Sequence, residues 1–211
     1  MYAVLERLDA DILVLPETWL PHDGGGVVDR LRANGYEVAL DRWVTMKHGV
    51  LRPRLSSPGE GWWCLAVASR LPVCTRRDLP LPRTYHDPAQ PRAAIQLSID
   101  VGGVVVDAVG LHTSSRLWYA APFVHLNALR RQLPQADRPA LLAGDFNLWG
   151  PWVDRFFPGW RRTVIGKTYP AHRPHSQIDH VLINRHLAYV NGEVVDDHHS
   201  DHRPVRVRLR A

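Results

Sequence analysis

Short apolar runs alternate with clusters of turn-forming residues along the whole chain, and most of the runs are rich in β-branched residues. Such runs are typical of strands, whereas apolar residues three and four positions apart are typical of helices. The helical spacing predicts helices at Tyr2–Leu8, Val27–Ala33 and Pro122–Leu133. The predicted strands are Ile12–Leu15, Glu37–Leu40, Trp62–Ser69, Val73–Leu79, Ala93–Asp100, Val104–Leu111, Ala140–Ala143, Ile178–Ile183, Ala188–Val195 and Pro204–Leu209.

Two pairs of neighbouring strands are predicted to form hairpins. Trp62–Ser69 is joined to Val73–Leu79 by a short turn, and Ala93–Asp100 is joined to Val104–Leu111 across a Gly-Gly turn. Consecutive hairpins are typical of antiparallel sheets, whereas parallel strands need long crossover connections. The order of elements therefore predicts an α+β sandwich and not a doubly wound parallel sheet.

The chain has the length of one domain, which we place over residues 1–211. No apolar run approaches the roughly 18 residues that a membrane span needs. The first twenty residues carry five charged side chains, unlike a signal peptide. We expect a monomeric, cytoplasmic domain with no membrane span.

The charge balance is basic, with a net charge of +5, and 24 of the 26 basic residues are arginine. Arginine binds phosphate through a bidentate fork, so an anionic partner is one interpretation. The other is a GC-rich coding sequence, because the arginines are dispersed. The two cysteines, Cys64 and Cys74, exclude a disulfide framework and a cysteine-based zinc site, but they would face each other if the first predicted hairpin forms.

Acidic, amide and imidazole residues recur just past the ends of the apolar strands, where a rigid scaffold presents catalytic groups. They are Glu17, His112, Asp145, Asn147, Asp179, Asp201 and His202.

Asp145 and Asn147 follow the buried strand in the segment LLAGDFN. If the backbone stays extended, two residues this far apart point to the same side. A carboxylate beside an amide is suited to hold and polarise a water molecule. The alternative is a Gly-Asp turn that merely ends a strand.

Asp179 lies within an otherwise apolar strand, and buried carboxylates are rare unless they are paired. We predict His202 as its partner, since a carboxylate commonly orients an imidazole. The neighbouring His180 points to the opposite face and is predicted to be structural. Glu17 is interpreted either as a helix cap or as a ligand for a hard cation. A metallo-β-lactamase pattern in the segment DDHHSDH is excluded because its first ligand position is Asp197.

The ordered motifs Glu, His, GD-x-N, S-x-I-D-H and SDH-x-P-V resemble the endonuclease/exonuclease/phosphatase family, which includes DNase I. The resemblance runs from Asp11 to Leu209. It implies a four-layer α+β sandwich of two mixed, mainly antiparallel sheets flanked by helices.

The resemblance also implies a site. Glu17 and Asp201 would bind Mg²⁺, with Mn²⁺ as an alternative ion, and Asp145 and Asn147 would orient the attacking water. His202 paired with Asp179 would contact the scissile phosphate, and His112 in GLHTS matches the other histidine of the family. Arg92 matches a family arginine that holds the substrate phosphate; the alternative is an ordinary loop arginine. Glu60 would be the acid that orients His112. Whether Asp145 or His202 takes the proton of the water stays open.

The chain departs from the family pattern at its start, because Met1 falls in the helix that follows the family's first strand. Either the true start lies upstream, which we favour, or the protein has a gap in one sheet and a weakened metal site. Loss of the strand would leave an exposed sheet edge. The implied activity is that of a metal-dependent phosphodiesterase or nuclease on a phosphate ester such as DNA. A small-molecule or lipid phosphatase and a non-catalytic binding module are the alternatives.

Overall fold

The computed structural model describes residues 2–45, 61–84, 87, 91–115, 120–133 and 137–211. The helices in these ranges are α1 (Tyr2–Leu8), α2 (Val27–Ala33), α3 (Ala121–Gln132) and α4 (Gly150–Phe156). The strands are β1 (Ile12–Pro21), β2 (Glu37–Thr45), β3 (Gly61–Ser69), β4 (Val73–Leu81), β5 (Arg92–Val101), β6 (Val104–His112), β7 (Ala140–Asp145), β8 (Arg161–Arg162), β9 (Asp179–Ile183), β10 (Ala188–Val194) and β11 (Val205–Arg210).

The larger sheet has six strands in the order β4-β5-β6-β7-β9-β8. Only the β6–β7 pair in this sheet is parallel. The other strands form a three-stranded antiparallel sheet, β1-β3-β2, and a separate β10–β11 ribbon. Among the described strands β1 pairs with β3 alone.

The two larger sheets pack face to face because alternate residues of their strands are apolar and buried. Leu65 and Val67 of β3 meet Leu97 of β5 and Ala108 of β6 in the core between the sheets. The opposite face of the six-stranded sheet packs against α3 and α4, and α1 and α2 cover the outer face of β1 and β3. The predicted four-layer α+β sandwich is therefore confirmed.

The predicted hairpin between Trp62–Ser69 and Val73–Leu79 is wrong, because the two strands belong to different sheets. Residues Leu65–Ala68 of β3 are fully buried, and β3 pairs with β1 on one side and β2 on the other. No edge of β3 remains for β4, which forms the exposed edge of the larger sheet beside β5.

Because the hairpin does not form, Cys64 and Cys74 do not face each other, and no disulfide joins them. Both thiols are free; Cys64 is buried and Cys74 is exposed. The Cys64 thiol donates to the carbonyl of Thr18 over 3.1 Å, and burial raises its pKa to about 12.

Strand β1 is longer than the predicted Ile12–Leu15 because a β-bulge carries it past Pro16. The pairing with β3 shifts register between Leu15 and Thr18, and Glu17 has a φ of 53°. A proline is tolerated at a bulge because no ladder hydrogen bond is required there. The bulge turns Glu17 out of the ladder at the end of the sheet that carries the candidate site.

Candidate active site

Three neighbouring strands of the six-stranded sheet bring one predicted residue each to the same row. His112 at the end of β6 is in register with Asp145 at the end of β7, and Asp145 is in register with Asp179 at the start of β9. Residues in register on adjacent strands lie on one face of a sheet, with Cβ atoms about 5 Å apart. The row explains why positions distant in sequence form one cluster.

The row ends in a histidine from outside the six-stranded sheet, next to the β10–β11 ribbon. His202 precedes β11, and its Nδ1 lies 2.8 Å from Oδ2 of Asp179. The predicted pair of Asp179 and His202 is thus confirmed. One ligand atom from each of Asp145, Asp179 and His202 lies within 4.8 Å of the others.

Asp145 is buried at the centre of the row. Burial raises its pKa well above the usual value, and the charge of Asp179 raises it further. A carboxylate with a raised pKa is a stronger base than a solvated one.

Asn147 reaches Asp145 through a turn and not through the extended backbone that the sequence suggested. Its φ is 48°, and its backbone N–H donates to Oδ1 of Asp145 over 2.7 Å. Its Nδ2 donates to Oδ2 of Asp145 over 3.2 Å and to the carbonyl of Thr113 over 3.0 Å. Asn147 therefore fixes the orientation of the Asp145 carboxylate.

Gly144, the residue before Asp145, is required by a close approach of two strands. It has a φ of 139°, and a Cβ at this position would lie 2.0 Å from the carbonyl oxygen of Leu111. Only glycine permits this contact, which sets β6 and β7 in the register that aligns His112 with Asp145.

His112 is buried and lies between a cation and two carboxylates. Its Nε2 is 3.5 Å from Oδ2 of Asp145 and 3.8 Å from Oε1 of Glu17, and its Nδ1 is 3.3 Å from Nη1 of Arg92. Burial lowers its pKa well below the usual value, and the charge of Arg92 lowers it further.

His202 has the opposite environment. Burial disfavours its charged form, but the hydrogen bond to Asp179 and the Asp179 charge outweigh burial and raise the pKa to about 9. Tyr169 packs against its ring with centroids 4.8 Å apart. His202 is therefore protonated at neutral pH.

Arg92 is only 7% exposed. The resemblance predicts that it contacts a substrate phosphate, whereas here its Nε donates to Oδ2 of Asp87 over 3.1 Å and its Nη1 faces His112. Trp43 lies under the guanidinium, 4.3 Å from Cζ to the ring centroid. No sequence pattern indicated Asp87, which lies in a proline-rich loop, or Trp43, which lies beyond the predicted end of its strand.

The remaining predicted residues have different outcomes. The Asp201 side chain is exposed and accepts a hydrogen bond from Ser200 over 3.3 Å, outside the group of ligand atoms around Asp145. His180 is buried and donates from Nε2 to the carbonyl of Leu148 over 3.0 Å, in agreement with its predicted structural role. Glu60 lies outside the described residues.

Comparison with known proteins agrees with this architecture. The family model described as "Endonuclease/Exonuclease/phosphatase family" matches residues 1–202. No curated protein matches the chain. None of the helices in the described part of the chain is long and apolar enough to cross a membrane.

Solved structures share the fold at low sequence identity. An endonuclease/exonuclease/phosphatase from Beutenbergia cavernae DSM 12333 has a TM-score of 0.74 and 24% identity, and the match covers 99% of this chain and 64% of that one. A mannosyl-6-phosphatase from Bacteroides thetaiotaomicron VPI-5482 has a TM-score of 0.67 and 17% identity, covering 100% and 89% of the two chains. D. rerio TDP2 in complex with a single-strand DNA product has a TM-score of 0.68 and 13% identity, covering 99% and 89%.

Proposed function

The chain belongs to the endonuclease/exonuclease/phosphatase family, whose members hydrolyse phosphoesters, and on that premise we propose that it is a Mg²⁺-dependent phosphodiesterase acting on nucleic acid. The observation that carries the proposal is the row of His112, Asp145 and Asp179, closed by His202, at the end of one sheet. A binding scaffold has no need for a buried carboxylate held between two histidines.

The donor set fits a hard divalent cation. Glu17, Asp145 and Asp179 bring carboxylate oxygens to one end of the sheet, and hard cations prefer such ligands. The raised pKa of Asp145 reflects burial and a second negative charge nearby, a situation that a cation relieves. Glu17 is the proposed ligand within this group, with Mn²⁺ as an alternative ion. Asp201, the second ligand that the resemblance implies, is exposed and lies outside the group. A bound Mg²⁺ would polarise a phosphoryl oxygen and offset negative charge in the transition state.

Asp145 is the proposed general base. It is the carboxylate with the raised pKa, and the Asn147 backbone and side chain hold it in one orientation. His202 is a poorer candidate because its raised pKa keeps the ring protonated, without a free electron pair on Nε2 at neutral pH. We therefore propose that Asp145, and not His202, takes the proton of the water.

The two histidines stabilise negative charge on the phosphoryl oxygens and on the leaving group. His202 supplies a positive charge next to the row, and Asp179 compensates that charge from behind. Preorganised donors of this kind typically contribute more to catalysis than any other single effect.

Nucleic acid is proposed as the substrate on the basis of charge and kinship. The chain carries a net charge of +5, which favours association with a polyanion. The TDP2 structure of the same fold contains a single-strand DNA product. Lipid and small-molecule phosphate esters are the other substrate classes that the experiment must separate.

Hydrolysis of bis(p-nitrophenyl) phosphate, measured with Mg²⁺ and with EDTA, tests the reaction class. Wild type should turn over only with the metal, and Asp145→Ala should abolish turnover. Asp137→Asn removes an exposed carboxylate away from the site and is the matched control. Single-stranded DNA, a phosphomonoester and a lipid phosphodiester then rank the substrate classes. Equal turnover in EDTA, or full activity of Asp145→Ala, would contradict the proposal.

Calorimetric titration with Mg²⁺ tests the ligands separately from turnover. Glu17→Gln should weaken binding, because the Glu17 carboxylate lies 3.8 Å from His112 in the site. Asp201→Asn should weaken binding less, because that side chain is exposed and outside the group around Asp145. Unchanged affinity in Glu17→Gln would remove Glu17 from the metal site.

A further inference from the structure

The two ring nitrogens of His112 face groups of opposite charge. Nδ1 lies 3.3 Å from Nη1 of Arg92, whereas Nε2 lies 3.5 Å from Oδ2 of Asp145 and 3.8 Å from Oε1 of Glu17. A guanidinium has five N–H donors and no acceptor. The contact with Arg92 is therefore a hydrogen bond only if Nδ1 of His112 accepts.

We infer that Arg92 is a positioning residue that holds His112 as the tautomer with its proton on Nε2. An imidazole that accepts at Nδ1 is neutral and carries its single N–H on the other nitrogen. That N–H points to the side of the ring where Asp145 and Glu17 lie. His112 is thus a fixed, uncharged hydrogen-bond donor.

Asp87 and Ser114 hold the guanidinium of Arg92 from its far side. The Nε of Arg92 donates to Oδ2 of Asp87 over 3.1 Å, and the Ser114 hydroxyl donates to the same carboxylate oxygen. All three side chains are buried, so the ion pair is only weakly screened by solvent. If Arg92 moved away, it would leave the buried charge of Asp87 uncompensated. This cost keeps Arg92 in place.

The ring of Trp43 packs against both the Arg92 guanidinium and the His112 imidazole. Cζ of Arg92 lies 4.3 Å from the Trp43 ring centroid, and the His112 and Trp43 centroids are 5.0 Å apart. The indole Nε1 donates to Oδ2 of Asp41 over 2.7 Å, and the backbone N–H of Ala93 donates to the same oxygen over 2.8 Å. Asp41 and Trp43 belong to β2 and Ala93 to β5, so these contacts join the two sheets at the site. We call the side chains that hold Arg92, namely Asp87, Ser114 and Trp43, the Arg92 clamp.

The catalytic consequence rests on the proposed function, but the tautomer itself does not. In a phosphodiesterase, a neutral Nε2–H donor would hydrogen-bond a phosphoryl oxygen without taking a proton from water. Arg92 would then contribute to catalysis through His112 and not through contact with the substrate.

Nitrogen NMR of protein labelled with ¹⁵N-histidine reads the tautomer directly. The spectrum is recorded in EDTA without substrate, and the His112 signals are assigned by their loss in His112→Gln. Wild type should show Nε2 in the protonated range and Nδ1 in the unprotonated range. Arg92→Met should bring the two shifts closer together, because Nδ1 is no longer forced to accept. Arg208→Met, at an exposed arginine, is the matched control and should give the wild-type spectrum.

Two results would overturn the inference: a protonated Nδ1 in wild type, or an unchanged His112 spectrum in folded Arg92→Met. If Arg92→Met does not fold, Asp87→Asn replaces it. Loss of the Asp87 charge should move the shifts in the same direction by a smaller amount, and no movement would remove Asp87 from the clamp. Because neither metal nor substrate is present, an inactive protein with the expected tautomer contradicts only the proposed function.

Discussion

The two histidines that flank Asp145 differ in charge: His112 is neutral and His202 is protonated at neutral pH. His112 is 3% exposed, ends a central strand and meets a cation at Nδ1. The His202 side chain is 25% exposed, precedes the last strand and meets a carboxylate at Nδ1. The pKa of the first is lowered well below the usual value, and the pKa of the second is raised to about 9.

The partner at Nδ1 decides the difference, because both rings lose solvent on folding. Burial alone disfavours the charged form of either histidine. At His112 the Arg92 charge acts in the same direction as burial, whereas at His202 the Asp179 charge and hydrogen bond overcome it. The site thus places a neutral donor on one side of Asp145 and a cationic donor on the other.

Asp145→Asn removes the carboxylate that lies between His112 and His202 and should have the largest effect on kcat. Without the proposed base, kcat should fall by about 10²–10⁴-fold. Steady-state hydrolysis of bis(p-nitrophenyl) phosphate measures this loss, with Asp137→Asn as the control. Activity within about tenfold of wild type would exclude Asp145 as the base.

Asp179→Asn should make His202 neutral at neutral pH, like His112. With the charge gone, burial should return the pKa of His202 from about 9 to its ordinary value or below. The positive charge of the His202 ring is then lost at neutral pH, and kcat should fall by about 10²-fold. In wild type, activity should decline as pH rises through about 9, and in Asp179→Asn the decline should begin at lower pH. An unchanged alkaline limb would show that His202 does not control it.

His202 and His112 should contribute to the pH dependence of the unfolding free energy with opposite signs. The folded-state pKa of His202, about 9, lies above the ordinary value of 6.5. Its stabilisation is therefore complete below about pH 6.5 and is lost as pH rises through about 9, an effect of at most about 3 kcal/mol. His112 acts in the opposite sense, because the unfolded chain takes up its proton first as pH falls below about 6.5.

Urea unfolding in EDTA between about pH 6 and pH 10 measures the His202 contribution. His202→Gln should lack the loss of stability that wild type shows between neutral pH and about pH 9. Parallel curves for the two proteins over this window would contradict the raised pKa.

Trp43→Phe should weaken the His112 half alone and have the smallest effect. The smaller ring loses the hydrogen bond to Asp41 and part of the contact with Arg92, at a cost of about 1–2 kcal/mol in unfolding free energy. Trp152→Phe is the matched control, because Arg155 lies 4.6 Å from that ring at an exposed position. Equal losses in the two variants would show that the buried clamp adds nothing beyond a surface contact.

Sequence patterns predicted those parts of the molecule that depend on local order. The strand-end positions of His112, Asp145 and Asp179 and the pairing of Asp179 with His202 follow from apolar runs interrupted by single polar residues. The false hairpin arose because periodicity identifies strands but not their partners. A strand buried on both faces, such as β3, pairs on both edges, and only the tertiary structure reveals with which strands.

The clamp around Arg92 was not predictable for a related reason. Asp87 and Trp43 reach Arg92 from a loop and from the other sheet, so no spacing in the sequence links them. Asn147 was assigned to the site for a wrong geometric reason, since it turns back onto Asp145 through a left-handed residue and not along an extended strand.

A pH titration of both histidine rings in one metal-free sample tests the central comparison most directly. Two-dimensional NMR follows the ring signals, which His112→Gln and His202→Gln assign. We predict that His202 titrates near pH 9 and that His112 stays neutral down to pH values well below its usual pKa. Titration of both rings together near the ordinary value of about 6.5 would contradict the account, because their partners at Nδ1 would then set neither state.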